Sequence, residues 1–205
     1  MDYTIKHVTT EQELDDSLAF ACKIFGDNAG LGSREESCKE WFGRMGRNND
    51  LLLYAESNGE VTGIVFGAIG DDGNMTAGIV AVDERLRSRG VAREMMLLLE
   101  ERGKAHGVPL IALGAVQTAE GFYSKIGYTG SLLIQSEKHS IGELLSVNTK
   151  YAVNYTRVHD GTINQVNLAL PEADRDLQRK YETTLPGCNT QMMFWKNIEN
   201  GGICI

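Results

Sequence analysis

Three prolines and four cysteines are few for 205 residues, and they set the first bounds. Cys22, Cys38, Cys188 and Cys204 are widely scattered, with no Cys-x-x-Cys pair. That argues against a disulfide framework or a cysteine zinc site, and leaves reduced thiols in a cytoplasmic protein as the expectation. His7, His106, His139 and His159 are equally dispersed and fall at helix ends or turns, so no metal ligand set is expected. No long uncharged apolar run is present, which excludes a membrane-spanning helix. The opening Met1-Asp2-Tyr3-Thr4-Ile5-Lys6 lacks the layout of a secretory leader. No serine stands in a Gly-x-Ser-x-Gly elbow. A net charge of −8 argues against general nucleic-acid binding, which needs a basic surface. It suits weak steering of a cationic amine.

Against these absences one stretch stands out: Ile79-Val80-Ala81-Val82-Asp83-Glu84-Arg85-Leu86-Arg87-Ser88-Arg89-Gly90-Val91-Ala92. It reads as an apolar strand, a cationic turn, and a small-residue entry into an amphipathic helix. A helix start leaves backbone N–H groups unpaired and carries the positive end of the helix dipole. Gly90 and Ala92 allow close backbone approach, and Arg87 and Arg89 add charge. The arrangement points to a phosphorylated ligand held at a strand-to-helix turn; the plain alternative is a basic turn capping an ordinary helix. No Gly-Lys-Ser/Thr follows, so it is not a Walker loop, and the turn lacks the Gly-x-Gly-x-x-Gly dinucleotide pattern.

Arg87-x-x-Gly90-x-Ala92 after the Val-Ala-Val strand resembles the acyl-coenzyme-A signature of the GNAT N-acetyltransferase family. About thirty residues on, Ala119-Glu120-Gly121-Phe122-Tyr123-Ser124-Lys125-Ile126-Gly127-Tyr128 is similar to the family's second signature. The two occur in the family's order, with a helix and a strand between them. The resemblance covers roughly residues 3–135. It implies an α/β (α+β) fold: a central mixed, mostly antiparallel sheet flanked by helices.

The rest of the pattern fits that outline. Residues 3–8 alternate as a strand, and Thr10 with Glu13 is a capping box for a helix carrying Leu14, Leu18, Ala21, Cys22 and Phe25. Ser33 with Glu36 opens a second helix, with Cys38, Trp41, Phe42 and Met45 on one face. Strands are expected at 51–56, 61–68 and 75–82, the first two joined by an Asn58-Gly59 hairpin. A helix from Val91 to near Gly107, a buried strand at 110–116, a helix at 119–126 and a strand at 128–136 follow. Beyond the family core come a helix capped by Ser140 and Glu143, alternating strands around Asp160-Gly161, a helix from Pro171, and a last strand at 191–198. From Ser131 the succession is that of a ferredoxin-like split βαβ unit. The expected organisation is therefore an acetyltransferase domain at 1–137 and a small α+β appendage at 138–205, able to share the strand at 128–136. Its edge strand offers a route to a homodimer.

The resemblance further implies acetyl-CoA as donor and a primary amine as acceptor, either a small molecule or a protein. In the family's fold the pantetheine arm pairs with strand backbone, here that of Val80 and Val82. The pyrophosphate lies on the turn of Arg87, Ser88, Arg89, Gly90, Val91 and Ala92, and Tyr123 serves as general acid to the leaving thiolate. Glu120, Asp71 and Asp72 are conceivable bases without distinction among them. Val116 stands where the family often has Asn, and Glu84 where Pro is frequent. A non-catalytic acyl-CoA sensor or interaction module is the alternative.

Overall fold

Local signals fix the first elements. Thr10 caps the opening helix: its side chain accepts from Glu13 N (3.2 Å), and the Glu13 carboxylate accepts from the N–H groups of Thr9 and Thr10 at 2.7 and 3.0 Å. Such a cap is worth about 1 kcal/mol. The Tyr54 hydroxyl also donates to Glu13 (2.8 Å). Burial alone would raise the Glu13 pKa, but the bonds from Thr9, Tyr54 and Thr10 outweigh it and hold the carboxyl at about 2. The cap is therefore charged throughout the neutral range.

The computed structural model describes residues 2–26 and 34–199, with side chains of the second helix from Cys38 onward. The Ser33–Glu36 capping box, residues 27–32 and Cys204 lie outside these. The chain divides into two units: one runs to Ile111 and is rejoined from Asn197, and the other is Ala112–Lys196.

In the first unit the elements are β1 (Thr4–His7), α1 (Glu11–Phe25), α2 (Arg34–Asn48), β2 (Leu52–Ser57), β3 (Glu60–Ile69), β4 (Met75–Val82) and α3 (Val91–Ala105). The strands pair antiparallel in chain order. Asn58 (φ 53°) and Gly59 (φ 80°) make the two-residue turn between Ser57 and Glu60. Both need left-handed backbone, which is why Asn-Gly stands there. Residues alternate between the sheet's two faces. Leu52, Tyr54, Ile64, Phe66, Ile79 and Ala81 join Leu14, Leu18 and Trp41 in one buried layer. On the other face α3 approaches so closely that a Cβ at Gly67 would lie 2.7 Å from Leu99 Cδ1. Gly78 is the extra residue of a bulge in β4, and the Trp41 ring lies over it. Phe42, expected on the inner face, is 46% exposed: its position on α2 turns it away from the layer that Trp41 enters. Leu51, expected in the strand, closes a short 3-10 turn instead.

The second unit holds the end of β5 (Leu110–Gly114), then α4 (Glu120–Lys125), β6 (Thr129–Ser136), α5 (Ile141–Val147), β7 (Val153–His159), β8 (Ile163–Ala169), α6 (Arg175–Thr184) and most of β9 (Asn189–Asn197). Here β6 pairs with β9 on one side and β8 on the other, and β8 pairs with β7, all antiparallel. Leu132, Ile134, Val166, Leu168, Met192 and Phe194 are all buried. They alternate onto one face, and Leu144, Val147 and Tyr181 of α5 and α6 are buried too. The Tyr181 hydroxyl donates to Leu144 O (2.8 Å) and ties the two helices.

Further boundaries differ from expectation, two of them for reasons the contacts show. The α6 helix starts at Arg175, not Pro171, because Asp174 is its cap and accepts from Leu177 N (3.0 Å). The strand expected through 116 stops at Gly114, with alternating rather than continuous burial, and Val116 is 60% exposed. A Cβ at Gly130 would lie 2.6 and 2.7 Å from the carbonyl oxygens of Pro171 and Leu170. Backbone cannot yield as a side chain can, so Gly130→Ala is expected to cost about 1–3 kcal/mol, read as a lower urea midpoint at unchanged slope.

Candidate active site

The backbone at the end of β4 builds the site's floor. Asp83 N donates to Thr62 O (2.8 Å), which closes the sheet, and Asp83 then caps a short 3-10 turn over Glu84–Leu86. The Asp83 carboxylate accepts from Arg85 three times, from N, Nε and Nη2, each at 2.9 Å. These bonds from Arg85 hold the Asp83 pKa at about 2. Asp83 is thus a brace for the turn and is not available as a base at neutral pH.

After that brace the chain makes two left-handed steps, Ser88 (φ 62°) and Gly90 (φ 88°). Gly90 is the N-cap of α3, and no side chain caps the helix start. Residues 87–90 are all exposed, while Leu86 and Val91 on either side are 1% exposed and anchor the turn. An uncapped helix start has first-turn N–H groups free of intrahelical partners and the positive end of the dipole. With Arg87 and Arg89 beside it, this is a place for a doubly charged phosphate group. Val80 and Val82 are half-buried on β4, opposite Val65 and Gly63 of β3. They lead straight into the turn, so all eight sequence-predicted cofactor positions lie on one continuous segment.

Tyr123 lies in the second unit. It is 4% exposed, on α4, within an aromatic group of Phe122, Tyr128 and Phe194 at centroid distances of 5.1, 6.1 and 5.6 Å. The helix ends in a left-handed Gly127 (φ 89°), and Tyr128 N bonds back to Tyr123 O (3.0 Å), which fixes the ring's base. Burial pushes the Tyr123 pKa up to about 12. Its hydroxyl makes no hydrogen bond among the described residues, so it is a protonated donor without a protein acceptor.

Two of the three conceivable bases are otherwise engaged. Glu120 accepts from Arg175 Nη2 (2.6 Å), and Asp72 accepts from Asn74 within its turn. Asp71 is exposed in the same turn. Among the described residues no group of three or more His, Cys, Asp and Glu side chains is placed to hold a metal ion. No described helix is long and apolar enough to cross a membrane. The bracing role of Asp83 and the left-handed Ser88 escaped the sequence reading. An acidic residue two before an arginine is common, and a serine gives no hint of positive φ.

A strand, a braced turn and an open helix start make an arrangement that suits an anionic, phosphate-bearing group. The family model described as the acetyltransferase (GNAT) family matches residues 18–128, and the chain belongs to that family. An acetyltransferase of Pectobacterium atrosepticum is 35% identical over 89 residues, which are 42% of this chain and 62% of that protein. The chain thus spans under two thirds of that relative. A GNAT-family acetyltransferase structure from Staphylococcus aureus Mu50 superposes with a TM-score of 0.59 at 13% identity, covering 97% of this chain and all of that one. An N-acetylglutamate synthase from Neisseria gonorrhoeae, complexed with coenzyme A and N-acetyl-glutamate, gives 0.54 at 12% identity over 98% of this chain and 36% of that one. These structures show the fold.

The two left-handed residues should respond oppositely to substitution. A side chain there costs about 1–2 kcal/mol. Gly90→Ala should therefore lower the melting temperature, and Ser88→Gly should hold or slightly raise it, offset by glycine's entropy of about 0.5–1 kcal/mol. A calorimetric scan of both variants checks this.

Proposed function

We propose that the protein is an N-acetyltransferase that moves an acetyl group from acetyl-CoA to a primary amine by direct attack. The observation that carries this reading is the turn at 87–92, where an uncapped helix start, two left-handed residues and two exposed arginines meet. Family membership supports acetyl transfer, and the coenzyme A complex of the Neisseria relative supports the donor. In this reading Arg87, Ser88, Arg89, Gly90, Val91 and Ala92 hold the pyrophosphate, and the backbone of Val80 and Val82 pairs with the pantetheine amides.

The amine nitrogen attacks the thioester carbonyl, the C–N bond forms, the C–S bond breaks, and the amine's proton balances the thiolate. Tyr123 supplies the hydrogen bond to that thiolate. With a pKa of about 12 it is a weaker acid than a free thiol near 8.5, so donation without full transfer is its easiest role. The acceptor must arrive neutral. With Asp83 and Glu120 both held by arginines, solvent takes the first proton and the rate climbs as the amine deprotonates.

Calorimetric titration with acetyl-CoA and thiol release over a panel of amines test the reading. Binding with amine-dependent release is expected; no binding would overturn the donor assignment, and binding with no release from any amine would favour a sensor. Replacing Arg87 and Gly90 together by glutamate should abolish coenzyme A binding, and unchanged affinity would place the cofactor elsewhere. Tyr123→Phe should lower kcat by about 10²-fold with little change in acetyl-CoA affinity. Its pH–rate profile should keep its shape, since the phenol does not ionise near neutrality. Equal losses in kcat and affinity would make Tyr123 structural.

A further inference from the structure

The helix that carries Tyr123 has little order of its own. α4 is six residues long, and Gly121 stands in its first turn. So short a helix does not persist alone in water, and a glycine weakens it further. Its N-cap, Ala119, has no side chain to offer the first N–H groups. The direction in which α4 aims Tyr123 is therefore set by what the helix touches.

Three of those contacts come from the C-terminal part of the chain. At the start of α4, Glu120 accepts from Arg175 Nη2 (2.6 Å), across 55 residues of sequence. In its middle, the Phe194 ring lies 5.6 Å from that of Tyr123. At its end, Lys196 Nζ donates to Ile126 O (3.2 Å). Arg175, Phe194 and Lys196 all lie beyond residues 18–128, which match the family model.

Arg175 is itself held firmly. The Asp174 cap fixes where α6 begins, and Arg175 is the first residue of that helix. Its Nη1 donates to Gln178 Oε1, and Gln178 is buried. One planar guanidinium thus ties α6 to α4 with a fork that a lysine does not reproduce. Arg179, one turn further along α6, pairs instead with Asp176 of its own helix. Glu120 stands one turn before Tyr123, so the two share a side of α4, and a shift at Glu120 carries to the ring.

Resting on the reading of Tyr123 as donor to the leaving thiolate, we infer that Arg175 is a positioning residue. Its bond to Glu120 holds α4 in the orientation that places the Tyr123 hydroxyl. The Arg175 and Glu120 side chains are 33% and 15% exposed, and an ion pair open to solvent adds little to stability. Its loss is therefore expected in the rate. A misplacement of about 1 Å at a reacting group costs up to about 10²-fold.

Arg175→Met should lower kcat about tenfold, with acetyl-CoA affinity unchanged. Glu120→Gln should give the same loss and keep the wild-type pH–rate profile. The double variant should be no slower than either, since each change removes the same bond. In a Tyr123→Phe background, Arg175→Met should slow the enzyme no further, because a missing hydroxyl cannot be misplaced. Arg179→Met should run at the wild-type rate. Circular dichroism checks each fold, and Glu120→Gln, which keeps the side chain's shape, carries the test if Arg175→Met unfolds. A Tyr123→Phe enzyme with full kcat overturns the donor role of Tyr123 and this inference with it. A slowed Tyr123→Phe enzyme beside an Arg175→Met enzyme of full kcat overturns this inference alone. So do losses that add when Arg175→Met is joined to Tyr123→Phe, or a pH–rate profile altered by Glu120→Gln, since Glu120 would then be moving a proton.

Discussion

The start of α3 is left without a side-chain cap, and the neighbouring structure holds it in place by other means. A helix normally satisfies its first N–H groups with a side chain, as Thr10, Ser140 and Asp174 do elsewhere in this chain. Gly90 has no side chain to offer, and the polar groups stay available for a ligand. The order that a cap would supply comes from both sides instead. Asp83 grips Arg85 with three hydrogen bonds, and Leu86 and Val91 are sunk into the core. The left-handed Ser88 is strained for a residue with a Cβ, and such strain persists only where its surroundings hold it. Strain, an open cap and exposed arginines in four successive residues are together better explained by a ligand than by stability.

Tyr123 shows the complementary use of burial. Its ring is held by Phe122, Tyr128 and Phe194, while its hydroxyl has no acceptor among the described residues. Burial of the ring keeps the phenol protonated far above neutrality, so it stays a hydrogen-bond donor throughout the neutral range. Glu120, three residues earlier, is matched with Arg175 and adds no uncompensated charge to the helix.

What could be read from the residues was local. Capping boxes at Thr10 and Ser140, the Asn58-Gly59 turn and the glycine after α4 all depend on contacts within four residues, and each stands as expected. The turn at 87–92 stood out for the same reason, since its six residues are consecutive. What the residues did not disclose depends on distant partners. Phe42 and Trp41 are adjacent and equally apolar, and only the Gly78 bulge, some forty positions on, decides which is covered. Pro171 looks like a helix opener until Asp174, with Tyr151 and Lys150 bonded to it, takes the cap. Strand ends at 110–116 were misjudged because an apolar run does not say where its partner stops.

The β7 strand, exposed along its whole length, raises a question of register. A strand with one buried face is held in place by that face, since a one-residue slip would expose it. The β7 strand has no such face, so something else must pin it. Two side-chain ladders cross from β7 through β8 to β6. Asn154 donates to Asn167 (2.8 Å) and Asn167 to Ser131 (3.2 Å), while Arg157 donates to Gln165 (2.7 Å) and Gln165 to Gln135 (2.9 Å). Gln165 and Asn167, at the centre, are each 3% exposed, so leaving them unmatched would be expensive. A slip of β7 by one residue would take Arg157 and Asn154 to the opposite face and break both ladders at once. Polar matching thus does for this strand what hydrophobic burial does for the others. It leaves the apolar side chains of Val153, Tyr155 and Val158 exposed without cost to the strand's register.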